Sequence, residues 1–420
     1  MRNILLREVG EFLHTEQTLT KKSAKKGGKN NFTENYTQKI EAITAGIVEM
    51  KVLDEQWDGN AYRFYIKAKM TVDPKEVNKR IAEVLNDKQK TKDLEKARQR
   101  TKEAEAETER LRKELEKEKN NQALQKAYQR IANILRAEEY FTKGLNAQNN
   151  EWYELAIEYY QKAIAIDPNV ASPYYNMGNA YNAQKNYAQA IKCYQKAVAI
   201  DPNKAEAYNN MGNAYNAQKN YAQAIKCYQK AVAIDPNNAE AYYNMGNAYY
   251  NQKHYAQAIK CYQKAVAIDP NKVEAYNNMG VVYNDQKHYA QAIKCYQKAV
   301  EIDPNKAEAY NNMGVAYDDQ KNYAQAIKCF QKAVEIDPND AVAYYNMGNT
   351  YDDQKNYAQA IKCYQKAVEI DPNDADAYNN MGLTYGKQGN MQQKAKCYQK
   401  AAGLGGTDAQ EWLRRNGYKW

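Results

Sequence analysis

The stretch 205–238, AEAYNNMGNAYNAQKNYAQAIKCYQKAVAIDPNN, decides the fold, because it returns with little change at a constant step of 34 residues. The step is marked by Gly178, Gly212, Gly246, Gly280, Gly314, Gly348 and Gly382, and in parallel by Pro168, Pro202, Pro236, Pro270, Pro304, Pro338 and Pro372. A period of this length is the signature of a repeat architecture. Within the stretch, Tyr208, Met211 and Tyr215 follow helical spacing. So do Tyr221, Ala224, Ile225, Tyr228, Ala231 and Val232, which predicts two amphipathic helices per unit. Ala217-Gln218-Lys219-Asn220 is the turn between them. Gly212 and Ala224 are small enough for the helices to approach closely, with tyrosines filling the seam. Pro236 ends the second helix, since it has no N–H and forces the preceding residue out of the helical conformation.

Working outward, eight such units span 137–408. The first, 137–170, is degenerate but keeps Gly144, Ala156, Tyr160, Ala163 and Pro168. The last, 375–408, has Lys394 in place of the small alanine and Gly405-Gly406 in place of Asp-Pro. Atypical end units are expected where a stacked array meets water. The pattern resembles the tetratricopeptide repeat family, with its aromatic, Leu-Gly, Tyr, Ala, aromatic, Ala and Pro spread over a repeat. The resemblance implies a mainly α protein, a right-handed α-solenoid of helix pairs, whose function is to hold other proteins. One departure recurs. The family's turn glycine is Lys185, Lys219, Lys253, Lys287, Lys321 and Lys355, returning only at Gly389, so the neighbouring Asn or His is expected to take the left-handed conformation. Residues 409–420 read as a capping helix in which Trp412 and Leu413 cover the last unit.

Ahead of the array, 1–73 reads as a small α+β domain. Val48, Met50 and Val52, then Asp58-Gly59, then Tyr62, Phe64, Ile66, Ala68, Met70 and Val72 alternate at period two and predict a hairpin. Helices are expected at 3–18 and 34–44. Thr44–Leu53 and Tyr62–Val72 resemble the small N-terminal domain of bacterial flagellar-assembly and envelope lipoproteins. From Asp73-Pro74-Lys75-Glu76, a good helix start, a charged helix is expected over 74–136, roughly 90 Å long if unbroken. Its seam of Leu94, Ala97, Thr101, Ala104, Thr108, Leu111 and Leu115 suits either a dimerising coiled coil across 94–115 or a solitary spacer.

The chain has 420 residues, 44% apolar and 26% charged, with no run of about 18 apolar residues to span a bilayer. Charge arrives within Met1–Glu8, too early for an export signal. As written the chain is therefore expected to be cytoplasmic, and envelope-associated if its start lies further upstream. The formal charge of +9 is concentrated in 1–136, where 30 basic residues face 22 acidic ones. Interleaved aromatic and basic residues are lacking there, so nucleic acid is not an expected partner. Lys21, Lys22, Lys25, Lys26 and Lys29 form a solvated basic loop, and Gly28-Lys29-Asn30 lacks the remaining residues of a phosphate-binding loop.

The family resemblance implies that first-helix positions line the concave side. One of them is Asn176, Asn210, Asn244, Asn278, Asn312, Asn346 and Asn380, and a second row holds Asn179, Asn213, Asn247 and Asn349. An amide both donates and accepts, so it can pair with peptide backbone irrespective of side chain. A similar ladder in protein O-linked N-acetylglucosamine transferases grips extended polypeptide. Two readings stand: capture of an extended segment, or helix packing alone. A carboxylate clamp needs Lys and Arg on the concave face, and Glu206, Glu240, Glu274 and Glu308 argue against it. Asp285, Asp318, Asp319, Asp352 and Asp353 turn one end acidic, favouring a ligand of basic character there. Lys226, Lys230 and their counterparts make a solvated outer stripe.

Cys193, Cys227, Cys261, Cys295, Cys329, Cys363 and Cys397 share one repeat position, too far apart for disulfides, and read as packing thiols. His14, His254 and His288 converge with no nucleophile or metal ligands, so no catalytic residue, metal or cofactor is assigned. The expectation is a non-enzymatic scaffold binding an extended peptide. The alternative is an envelope or motility-assembly component that uses the array as a spacer.

Overall fold

A computed structural model describes residues 48–58, 63–72 and 88–420, with side-chain surroundings from Glu95 onward. The chain divides into two compact units, Met1–Gln99 and Arg100–Trp420. In the first, β1 (Val48–Asp58) and β2 (Arg63–Val72) form the expected antiparallel hairpin. Val48 pairs with Val72, Met50 with Met70 and Val52 with Ala68, as alternation requires. An irregularity between Val52 and Asp54 then shifts the pairing so that Trp57 faces Phe64. The helices expected at 3–18 and 34–44 lie outside the described residues.

The single charged helix is corrected by the structure. It is divided into α1 (Lys88–Lys117) and α2 (Gln122–Asn149). Asn121 makes the break, since its side chain accepts from the amides of Ala123 at 3.0 Å and Leu124 at 3.2 Å and so starts a new helix. Arg100 on α1 reaches Glu138 on α2 at 3.4 Å, across a sequence gap that only a fold-back spans. Ala97, Ala104 and Leu111, three of the seven seam residues, are buried within the single chain.

Thereafter α3 (Tyr153–Ile166) completes the first pair with the end of α2. Pairs follow as α4 (Ala171–Ala183) and α5 (Tyr187–Ile200), α6 (Ala205–Ala217) and α7 (Tyr221–Ile234), and α8 (Ala239–Asn251) and α9 (Tyr255–Ile268). They continue as α10 (Val273–Asp285) and α11 (Tyr289–Ile302), α12 (Ala307–Asp319) and α13 (Tyr323–Ile336), and α14 (Ala341–Asp353) and α15 (Tyr357–Ile370). The last pair is α16 (Ala375–Lys387) with α17 (Met391–Gly403), closed by α18 (Thr407–Arg415), whose Leu413 is fully buried against Tyr398 and Ala401.

Each pair is locked by a ring set against a glycine. A Cβ added at Gly246 would lie 2.5 Å from Cε1 of Tyr262, so only hydrogen at this position lets the helices close on the buried ring. The turn between helices corrects a second expectation. The lysine itself is left-handed, with φ of 59° at Lys185 and 62° at Lys355. The following asparagine cannot also be so, because it opens the next helix: Asn186 has φ −86° and accepts from the amide of Gln189 at 3.3 Å. Its own N–H closes back to Tyr181 O at 2.8 Å, while the Lys185 N–H meets Asn182 O at 2.9 Å. This is the bonding of a left-handed helix stop, with lysine where glycine is easiest. At the other end Asp201, held extended by Pro202, accepts from the amide of Asn203 at 3.1 Å and turns the chain into the next unit.

Each first helix of a pair also touches the first helix of the next pair, as α6 does α8 and α8 does α10, whereas second helices make no contact of that extent. The array therefore closes up on its first-helix side. The side chains that first helices turn away from their partners form one continuous inner face.

Candidate functional site

That inner face carries the asparagine rows, and the structure shows what each amide does. Asn210 donates to Tyr175 Oη at 3.1 Å and to Asn179 Oδ1 at 2.9 Å, both on the preceding unit. Asn278 does the same with Tyr243 at 3.2 Å and Asn247 at 3.0 Å, and Asn380 with Tyr345 at 2.9 Å and Asn349 at 3.0 Å. Both amide hydrogens of these three are therefore satisfied inside the scaffold. Asn244, Asn312 and Asn346 differ. Each meets an asparagine where the others meet a tyrosine, and donates once: to Asn209 at 3.4 Å, Asn277 at 3.2 Å and Asn311 at 3.1 Å respectively. These three are half-buried and keep one amide hydrogen. Asn176 is fully buried and bonds Ser172 O at 3.1 Å.

The second row anchors the buried rings. Asn179, Asn213, Asn247 and Asn349 accept the hydroxyls of Tyr194, Tyr228, Tyr262 and Tyr364 at 2.7 to 2.8 Å. In three units the row is broken by Val281, Val315 and Leu383. Opposite Val315 the ring is Phe330, which needs no acceptor. Opposite Leu383 the Tyr398 ring meets the edge of Trp412 at 5.0 Å. Opposite Val281 stands Tyr296, only 1% exposed, whose hydroxyl has no hydrogen-bond partner among the described residues. Burial is the main cause that raises its pKa above the ordinary phenol value, joined by Cys295, Asp285, Tyr250 and Glu308.

The acidic residues are distributed unevenly. Asp352 accepts from Thr384 Oγ1 at 2.9 Å and pairs with Lys387, so it is engaged within the array. Asp285 accepts the Tyr250 hydroxyl at 2.9 Å and is otherwise exposed, as are Asp319 and Asp353. Asp318 is half-buried, with one carboxylate oxygen buried and unbonded. Its pKa is raised, first by burial and then by Asp353 and Asp319, against the lowering effect of the Thr350 hydroxyl. The amide oxygen of Asn284, one helical unit earlier at the same position, is likewise buried and unbonded, as is that of Asn216. Of the remaining inner acids, Glu240 pairs with Lys272 at 2.6 Å and Glu308 with Lys306 at 3.6 Å.

Residues beyond the expected set take part. Tyr175, Tyr243 and Tyr345 set which asparagines are saturated, and Val281 with Tyr296 marks an unpaired hydroxyl. Aligning the units column by column would reveal both, since tyrosine and asparagine exchange at one column and valine replaces asparagine at another. The cysteines are buried free thiols. Burial pushes them from the ordinary 9.0 up to about 11, and Cys261 to about 12. Among the described residues no cluster of His, Cys, Asp and Glu is placed to hold a metal ion, and no helix is long and apolar enough to cross a membrane.

Stacked helix pairs with a glycine-seated ring, a left-handed turn and an inner face built of first helices define a helical repeat solenoid. Models of the tetratricopeptide repeat match 151–185, 178–219, 212–253, 246–287, 271–339, 329–362, 348–389 and 375–404, and the chain belongs to this family. No curated protein matches it. Among solved structures it is similar to the MamA protein, at 30% identity over 41% of this chain and 93% of that one, with a TM-score of 0.38. It is also similar to YrrB, described as a TPR protein with an unusual peptide-binding site, at 28% identity over 44% and 96% and a TM-score of 0.40. A third is the C-terminal part of a TPR repeat-containing protein from Cytophaga hutchinsonii, at 20% identity over 57% and 99%, with a TM-score of 0.48.

Proposed function

We propose that the array is a non-enzymatic scaffold that holds an extended peptide segment of another protein along its inner face. Membership of the repeat family supports interaction with protein partners. The observation that carries the finer reading is the spare amide hydrogen on Asn244, Asn312 and Asn346, half-buried on three successive or near-successive first helices. A half-buried donor left over from the scaffold's own bonding is suited to a backbone carbonyl laid along the face. Asn210, Asn278 and Asn380 serve cohesion between units instead, and Asn176 lies beneath the surface. The ladder thus divides into members available to a ligand and members that hold the units together.

The test is selection from a library of random 15-residue peptides on the full chain, followed by affinity measurements on the enriched sequences. Asn244→Ala, Asn312→Ala and Asn346→Ala together should weaken binding by up to about a hundredfold, at roughly 1 kcal/mol per lost hydrogen bond. The matched triple at Asn210, Asn278 and Asn380 should lower the melting temperature more and the affinity less. Absence of any enrichment over bare beads would end this reading.

A further inference from the structure

Unit 273–306 contains a place where the scaffold's own bonding stops short. Four equivalent tyrosines give their hydroxyl to an inner asparagine at 2.7 to 2.8 Å, whereas Tyr296, buried to the same degree, faces Val281 and has none. The Tyr296 ring is buried while its hydroxyl oxygen keeps contact with solvent, and one unit later Phe330 carries no oxygen at all. Tyr296 keeps it. Asp285 is exposed with no cationic partner, and its charge, with that of Glu308, acts on Tyr296. An apolar floor beneath a group of acceptors and acids matches one kind of ligand. The side chain of lysine or arginine has an aliphatic stem for the valine and a head made only of donors.

We propose that Val281, Tyr296, Asp285 and Glu308 form a subsite for a lysine or arginine side chain of the peptide held on the inner face. This rests on the scaffold reading and assigns that peptide a basic residue at a fixed place in the array. The cationic head meets Asp285 and the Tyr296 hydroxyl, which accepts an N–H through its free lone pairs, while the stem covers Val281. In unit 239–272 the equivalent place is closed, because Asn247 already accepts from Tyr262.

The test uses the full chain and two fluorescein-labelled 12-residue peptides of alanine and serine with lysine at every third position, one of them Nε-acetylated throughout. The lysine peptide should bind about tenfold or more tightly than the acetylated one, the size of a lost charge-assisted hydrogen bond. Asp285→Asn should remove most of that preference. Val281→Asn should remove it too, by giving Tyr296 the acceptor that Tyr262 has, while leaving the melting temperature unchanged or higher. Tyr296→Phe reproduces what position 330 already carries, so it should fold normally and lose about threefold in affinity. Equal binding of the two peptides, or a preference untouched by Asp285→Asn and Val281→Asn, overturns the subsite. If random peptides are nevertheless enriched by the chain, the scaffold reading survives that result; if no peptide binds at all, both fall. A lysine preference that appears only as concentration-dependent self-association in sedimentation would make a second copy the occupant and overturn the proposal.

Discussion

Units 239–272 and 273–306 are neighbours that differ at seven of 34 positions, and six of the seven lie on the first helix. Their second helices read YAQAIKCYQKAVAI and YAQAIKCYQKAVEI. The same glycine seats the same ring, at Gly246 with Tyr262 and at Gly280 with Tyr296. On the inner face, however, Tyr243, Asn247, Tyr250 and Asn251 give way to Asn277, Val281, Asn284 and Asp285. The second helix and the buried ring are thus fixed by packing, which tolerates little change in volume. The solvent-facing positions of the first helix vary instead, as from Asn247 to Val281 and from Asn251 to Asp285.

The comparison can be broken first where the units are alike. Their thiols have a raised pKa in the folded state, so folding holds these protons more tightly than the unfolded chain does. The resulting stability is present below pH 9.0 and is lost as pH rises toward about 11 at Cys295 and about 12 at Cys261. With seven such thiols, alkaline unfolding should be the largest effect. Circular dichroism should show helix loss in that window, and little change between pH 6 and 8. Next, Tyr262→Ala and Tyr296→Ala should each destabilise by about 3 to 5 kcal/mol in denaturant titrations, because both remove a buried ring.

The units should separate at the hydroxyl. Tyr262→Phe removes one of the two donors to Asn247 Oδ1, the other being Asn278, and should cost about 1 kcal/mol. A cost of the same size for Tyr296→Phe would show that its hydroxyl has a partner after all; the expectation is under about 0.5 kcal/mol, since no bond is lost. Between these in size, Lys253→Gly and Lys287→Gly should each stabilise by about 0.5 to 1 kcal/mol, as glycine takes φ of 60° without a Cβ clash. Equal melting temperatures for the glycine variants and the parent would mean that the lysine stem compensates for the strain.

Much of this was legible before any coordinates. The step of 34, the helix pairs, the presence of a hairpin over 48–72, and the closeness forced by the glycines follow from local periodicity. The turn is not legible from composition, which favours asparagine in left-handed positions. Asn186 and its counterparts, however, are needed one place later to open a helix, which leaves the lysine to make the reversal. The break within 74–136 is not legible because the charge pattern continues smoothly through Asn120-Asn121; the capping bonds of Asn121 show the new helix start and the Arg100–Glu138 contact shows the fold-back.

The sequence by itself determined the number, length and stacking order of the helix pairs, because each rests on contacts within one unit or with the next and repeats with the text. Only the tertiary structure decided which asparagines are saturated. That depends on whether the residue 35 places earlier is a tyrosine or an asparagine, and on whether an acceptor 31 places earlier lies within reach. Hydrogen bonds are short-ranged and directional, so the same amide column holds units together at Asn210 and leaves a donor over at Asn244.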